Sequence, residues 1–484
     1  MIENRSLHCI FILFMALFLQ ASLPSLGHTE ITLDGTVGPV GTLSGPDFMI
    51  PAEAGRQVGG NLFHSFGLFN VNTGESATFK GPDSVENILG RVTGGSSSTI
   101  NGLLRSEIPG ADLFLINPAG IMFGANAQLD VQGSFHVSTA DFVSLGEHGR
   151  FDAVEPDKSL LTVAPPSAFG FLGDNPAGIS IKDADLEVPK GETLSLIGGD
   201  IEITGGKLTA SSGRINIASA SSKGKVVSHT SDLGMDSFED LGKIDINQGA
   251  NIDVSGGGGE GVFIRGGVFA LSDGSIINSS TTSADPGSDI SITTTDSVSI
   301  SDGSIVGSAT SDHGNAGDIS ISASTDSVSI SGGSIVGSAT LDHGNAGDIS
   351  ISASTLKIES MDENAQRQSG LITSTIGDGN AGDIELKIHE SIEISGNSRI
   401  FTSTVAADSQ LLGSPPNKGN AGKILIESGS LKLKDGATID SSSFLSEGIG
   451  GNISITTKEL VTISGHPVMG LSSYIVSFRQ ACVI

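Results

Sequence analysis

Asp296–Thr325 reads DSVSISDGSIVGSATSDHGNAGDISISAST, and Asp326–Thr355 reads DSVSISGGSIVGSATLDHGNAGDISISAST. These adjacent 30-residue units differ only at Asp302/Gly332 and Ser311/Leu341. Within a unit the apolar residues recur at every second position: Ile319, Ile321 and Ala323, then Val328 and Ile330, then Ile335 and Ala339. A period of two marks a strand with one buried face, whereas an amphipathic helix repeats every 3.6 residues. The Gly, Asn, Asp and Ser residues between the runs supply turn positions with φ > 0. Each unit is predicted to hold two or three short strands whose alternating residues, Ile335 and Ala339 among them, face inward.

The marker Gly-Asn-Ala-Gly begins at Gly314, Gly344, Gly379 and Gly419, and a degenerate form begins at Gly448; successive markers lie 30, 35, 40 and 29 residues apart. The extra length falls in polar stretches, Met361–Gln368 and Ala407–Lys418, predicted to loop out from one corner of a regular coil. Strands this short cannot bury an apolar face alone. Stacking each coil on the last buries that face in a common column, with strands ~4.8 Å apart. The pattern predicts an all-β chain, a long parallel β-helix with repeats of about 30 residues. A β-propeller needs blades of roughly 40–50 residues with aromatic signatures, and aromatics here are 5%. Asp185–Val254 continues the pattern through Leu194/Leu196, Ile201/Ile203, Ile215/Ile217 and Ile244/Ile246, with Ser219–Asp240 as a longer excursion. Coil-like sequence ends at Val461–Gly465 and no polar cap precedes Ile484, which reads as a truncated product.

Composition narrows the function. A formal charge of 25 − 54 = −29 leaves little with which to neutralise phosphates, so no nucleic-acid partner is expected. Hydrophobic residues make up 37%, enough to bury a core and argue against disorder. At the N-terminus Arg5 precedes the apolar run Cys9–Leu19, and Ser25-Leu26-Gly27 places small residues for cleavage before His28. Residues 1–27 are therefore read as a signal peptide, too short in its apolar part to span a ~30 Å hydrocarbon core. No later run is long enough to be a transmembrane segment. Removing residues 1–27 leaves Cys482 as the single cysteine, which excludes an intramolecular disulfide.

Residues that follow the leader differ from the repeats. Their ordered pieces are Phe66-Gly67-Leu68-Phe69-Asn70-Val71, Ile88-Leu89-Gly90-Arg91-Val92-Thr93-Gly94-Gly95, Ile100-Asn101-Gly102-Leu103, Leu113–Gly124, Leu129–Phe135 and Ser138-Thr139-Ala140. Phe63–Val143 resembles the N-terminal secretion domain of two-partner secretion proteins, the filamentous-haemagglutinin-like exoproteins of Gram-negative bacteria. The resemblance implies a capped, right-handed β-helix recognised in the periplasm by the soluble domains of an outer-membrane β-barrel transporter. It also implies a secreted or surface-exposed adhesin-like product whose own receptor, a surface or a glycan, stays unidentified. The family's Asn-Pro-Asn-Gly-Ile motif matches Asn117, Pro118, Gly120 and Ile121, with Ala119 in place of its second Asn. No counterpart of the family's Asn-Pro-Asn-Leu motif is evident. Those four residues, with Arg91 and Asn70, are the candidate transporter-recognition set. The plain-turn reading of Asn117–Gly120, with Pro fixing φ and Gly permitting φ > 0, is the favoured one and is compatible with contact, and for Arg91 a satisfied structural arginine is favoured over a contact. The domain division drawn is residues 28–165 for the secretion domain and 166–484 for the β-helical repeats.

Other constellations carry less. His313 and His343 occupy equivalent repeat positions, but two histidines fall short of a metal site. Gly256–Gly259 is followed by Glu260 and Gly261 without the tandem Gly-Gly-x-Gly-x-Asp of calcium β-rolls, and no Lys-Ser/Thr follows to make a phosphate cradle. No metal or cofactor is expected. Asp183 and Asp185 could imitate an acid/base pair, leaving a β-helical polysaccharide-acting enzyme as one alternative reading and a truncated, non-functional exoprotein fragment as the other; one Tyr and no Trp give sugar rings little to stack on. The chain is read as non-enzymatic.

Overall fold

The computed structural model describes residues 30–227, 233–341, 343–360, 368–405, 418–444, 447–465, 473–476 and 479–480. Residues 1–27, read above as a signal peptide, both cysteines and most of the two polar insertions lie outside the described residues.

Each coil of the repeat region has three faces. In one coil these are Ile319–Ala323, Ser327–Ser331 and Ile335–Thr340. An aliphatic residue recurs at the same place in the next coil, in parallel register: Ile319 on Ile349, Ile384, Ile424 and Ile453 on the first face, and Val328 on Leu356, Ile392, Leu431 and Val461 on the second. Val328 and Ile330 are fully buried. Their neighbours join one continuous apolar column running from Ile31 to Ile439. The chain is a parallel β-helix, as the alternation predicts. The two differences between the near-identical units spare this column. Asp302 and Gly332 both take left-handed φ, 58° and 64°, at the turn between the second and third faces, and Leu341 is exposed.

Two details depart from the expectation. On the third face the inward set is shifted by one: Ser334, Val336, Ser338 and Thr340 are buried, while Ile335 and Ala339 are partly exposed. The cause is the marker turn. Ser308 Oγ and Ser338 Oγ accept hydrogen bonds from the Gly317 and Gly347 N–H at 2.8 Å, and Thr402 Oγ1 donates to the Gly422 carbonyl at 2.8 Å. Buried backbone polar groups need partners, so this inner line is hydroxyl-bearing rather than aliphatic. The insertions also leave from different corners. One joins Ile349–Glu359 to Gly370–Thr375, between the second and third faces; the other joins Arg399–Val405 to Ile424–Leu433, between the third and first.

The leading edge is closed. Ile31–Asp34 runs antiparallel to both Val40–Thr42 and the first-face strand Asn61–Phe69, and Arg56–Val58 also pairs with that strand. An uncovered parallel edge would present a row of free N–H and C=O groups. A second layer lies outside the helix. Gly149–Asp152, Phe142–Leu145, Pro166–Phe171 and Gly224–Val226 form an antiparallel sheet in that order. Two excursions supply its strands, both leaving after a first-face strand, Phe135–Ser138 and Arg214–Ser219. This sheet packs on outward-facing Phe63, Leu89, Phe114 and Ile116 and builds a second apolar core with Val143, Phe151, Phe169 and Val226. The boundary drawn between residues 165 and 166 runs through this one sheet.

The marker glycines hold adjacent backbones in contact. A Cβ on Gly344, Gly379 or Gly419 would sit 1.8 to 1.9 Å from the carbonyl oxygen of the glycine one coil earlier, whereas one on Gly173 would meet nothing within 4 Å. Gly379→Ala is expected to lower stability by ~2–3 kcal/mol through forced separation of the stack, with Gly173→Ala near neutral. Urea unfolding midpoints of the two variants check this.

Candidate functional site

The pieces that carry the family resemblance converge on one strand, Ser98–Ile100. Its parallel partner in the next coil is Ile121–Phe123, with Ile121 opposite Ser98, and on the other side Val71 bridges to Ile100. Asn70 Oδ1 accepts a hydrogen bond from the Thr99 N–H at 2.8 Å. From the opposite coil Asn117, fully buried, donates through Nδ2 to the Ser96 carbonyl and Ser98 Oγ, both at 3.0 Å. Asn70 and Asn117 thus clamp the same turn and strand from two coils.

The turn itself follows from its residue types. Asn117 Oδ1 accepts from the Ala119 N–H at 2.9 Å, and the Gly120 N–H closes onto the Asn117 carbonyl at 3.0 Å. Gly120 has φ 108°, a value an L side chain rarely adopts, although space around it is adequate. Ala119 contributes only its backbone N–H, so the loss of the family's second Asn leaves these bonds intact. Pro118 and Ala119 remain half-exposed. They line a cavity of about 300 Å³ with Val92, Thr93, Gly95, Asn117, Ala153 and Val154. Ala153 and Val154 follow the strand Gly149–Asp152 of the outer sheet, a wall that sequence reading did not supply.

Arg91 lies behind this cavity, not in it. It is 1% exposed, and its guanidinium donates to Ser65 Oγ at 2.8 Å, the Asp152 carbonyl at 2.5 Å, Ser159 Oγ at 2.7 Å and Thr36 Oγ1 at 2.8 Å. It also stands 4.4 Å from the Phe151 ring centroid. Burial lowers its pKa to about 10, against the opposing pull of Asp34, Asp152 and Asp157. Asp34 is itself half-buried, which would raise its pKa, yet hydrogen bonds from Ser65, Thr36 and Thr93 hold it below the usual value. Of the two readings of Arg91 the geometry matches the structural one: in the folded protein it presents no surface to a partner. It fixes Asp152, and through it the wall at Ala153 and Val154.

The remaining candidates are scattered. His313 and His343 stack as exposed rings, centroids 4.8 Å apart and 2° from parallel, with Asp312 Oδ1 2.6 Å from His313 Nδ1. Asp183 occupies a left-handed turn at φ 53° and Asp185 begins a third-face strand, both exposed.

Comparison with known proteins bears on the family and the fold. The model of the TPS secretion domain family matches residues 29–257, from the leading cap to the coil after the last strand of the outer sheet. Residues 29–257 are a two-partner secretion domain. The secretion-domain match thus runs well past residue 165, across the outer sheet. The heme/hemopexin-binding protein of Haemophilus influenzae is 32% identical over 82 residues, 17% of this chain, and the match spans only 9% of that relative's length. The HMW1 secretion domain from Haemophilus influenzae superposes with a TM-score of 0.52 at 15% identity, over 88% of this chain and 97% of that one, and so shares the fold. The filamentous hemagglutinin secretion domain covers 74% of this chain and 98% of its own at 14% identity, with a TM-score of 0.22.

One buried group beside the cap gives the secretion domain a pH dependence. His64 is fully buried, with its ring 5.5 Å from Phe79 and 6.1 Å from Phe66, and neither ring nitrogen meets a partner in good hydrogen-bonding geometry. Burial pushes its pKa down to about 4 from 6.5, against a weak opposing contact with the Ala54 carbonyl. The unfolded chain therefore binds a proton below pH 6.5 that the fold rejects until about pH 4. Stability is expected to fall across that window by at most about 3 kcal/mol. His64→Leu should flatten this part of the stability–pH curve, measured by denaturant unfolding at pH 7.5, 5.5 and 4.5.

Proposed function

We propose that this chain is an exported, non-enzymatic, adhesin-like exoprotein that a partner outer-membrane β-barrel transporter recognises in the periplasm through the Asn117–Ile121 turn. The observation that carries this reading is the cavity at that turn. Pro118 and Ala119 form its rim against Ala153 and Val154, so the family's motif, the extra-helical sheet and an apolar recess coincide at one exposed place. Val154, on the wall of this recess, is 51% exposed, the kind of apolar residue a partner can cover. Asn117, Gly120, Ile121 and Asn70 act by shaping this rim, and Arg91 by holding the wall behind it. The recognition module is proposed to take in the cap, the N-terminal coils and the outer sheet together, since the sheet closes only with Gly224–Val226. The repeat coils are the part displayed outside the cell or released, where their target is a surface or glycan receptor.

Charge placed on the rim tests this without disturbing the turn's hydrogen bonds. Ala119→Arg and Val154→Arg are expected to leave the unfolding midpoint within ~0.5 kcal/mol of the parent, as surface substitutions do. The same variants should reduce the protein outside the cell about tenfold, with accumulation in the periplasm, by fractionation of cells co-expressing the partner transporter. Normal release of both folded variants would count against recognition at this turn.

A further inference from the structure

We infer that residues 149–164 form a strap that must close before the first coils are complete, so that cap, first coils and strap fold as one cooperative unit. In the repeat coils an outward polar residue faces water and needs no protein partner. The first two coils are different. Their outward first-face residues Asn61, Ser65, Asn87 and Arg91 are only 1%, 3%, 8% and 1% exposed, in register Asn61 on Asn87 and Ser65 on Arg91. Buried polar groups of this kind must be hydrogen-bonded within the protein, and the partners come from far along the chain.

Asn61 Nδ2 donates to the Thr162 carbonyl at 3.0 Å and the Ala164 carbonyl at 2.8 Å, 101 and 103 residues away. Asn87 Nδ2 in turn donates to Asn61 Oδ1 at 2.9 Å. Arg91 reaches Asp152 and Ser159, 61 and 68 residues away, and its other nitrogen reaches Thr36 of the cap. The strap is braced for this role. Arg150 and Leu160 exchange two backbone hydrogen bonds, at 2.9 and 2.8 Å. The buried Asp152 carboxylate pairs with Arg150 and accepts from the Val154 and Glu155 N–H. The Asp152 N–H donates to Ser159 Oγ at 3.1 Å.

The consequence is an order of events. Residues 61–130 can supply their own inward column, but their outward polar groups gain these partners, and outward Phe63 gains the cover of Phe151 at 5.0 Å between ring centroids, only once residues up to Ala164 are available. Coil-by-coil completion is thereby blocked at the leading end. Further along, a coil needs only its neighbour. This inference stands on the fold alone and does not depend on how the chain is exported.

Native-state hydrogen exchange on the purified full chain tests it. Arg91→Met and Asn61→Ala each remove bonds to the strap from the coil side. Each is expected to speed amide exchange roughly 10- to 100-fold, together, in residues 61–92 and in 149–164, with Ile319–Ile394 unchanged. Should Arg91→Met fail to fold, Ser159→Ala removes a single acceptor and gives the same paired readout at about tenfold. Acceleration in only one of the two segments, equal acceleration in the repeat coils, or no acceleration at all would overturn the strap.

Discussion

Everything in this molecule depends on one backbone laid directly on another. In a parallel stack each coil hands its N–H and C=O groups to the coils before and after it, at the ~4.8 Å strand spacing. That spacing dictates composition. Where two turns stack most closely, at Gly314, Gly344, Gly379, Gly419 and Gly448, the preceding carbonyl occupies the space of a Cβ. Side chains at equivalent positions are forced into ladders. Asn315 Oδ1 accepts the Asn345 N–H, Asn345 the Asn380 N–H, and Asn380 the Asn420 N–H, at 2.8 to 2.9 Å. Asn is suited to such a column because it is uncharged and can accept from the next coil without repelling it.

The neighbouring acidic ladder shows the cost of charge in the same geometry. Asp289, Asp318, Asp348 and Asp383 each accept a backbone N–H from the following coil. Burial raises the Asp348 pKa, and the like charges of Asp318 and Asp383 raise it further, with the backbone hydrogen bond and Lys423 opposing. Elsewhere signs alternate along a column, as in Lys357, Glu393 and Lys432 on the second face. A solenoid that stacks like on like can carry little charge unless it alternates or hydrogen-bonds, which gives a physical reason for the 16% of charged residues.

What could be read from residue order follows from the same rule. Ladders of Ile and Val on the first two faces were legible because each repeat states them again: Val328, Leu356, Ile392, Leu431. The third face runs against its hydrophobic pattern because Ile335 and Ala339 outweigh Val336 in hydrophobicity, while the inward hydroxyls at Ser308, Ser338 and Thr402 bond the marker turn and that of Ser334 bonds the Ser304 N–H of the coil before. The outer sheet left a signal that went unused. Leu113-Phe114-Leu115-Ile116 is apolar on both faces, as are Leu62-Phe63 and Ile88-Leu89, and a strand covered on both sides loses its alternation. The environment of Arg91 was beyond reach. Its partners Asp152 and Ser159 are set by an excursion whose docking no local pattern encodes, and the cavity at Pro118 and Ala119 inherits the same blindness, since its far wall is Ala153 and Val154.

The two ends of the coil stack therefore solve different problems. A repeat coil inherits its template: the coil before it already offers a row of hydrogen-bonding groups and an apolar floor, so conformational entropy is lost in small steps, each repaid by one interface. The first coil has no such floor. It gains antiparallel cover from Ile31–Asp34 and Arg56–Val58 and a roof from the outer sheet, and its buried Asn61, with Arg91 of the coil that follows, locks those pieces to one another. A head held together by contacts across 61 to 103 residues has high contact order and closes as a whole, whereas the body can lengthen one turn at a time. With the turn proposed for recognition set within that head, beside the strap, the surface around Pro118 and Ala119 is complete only when the head is.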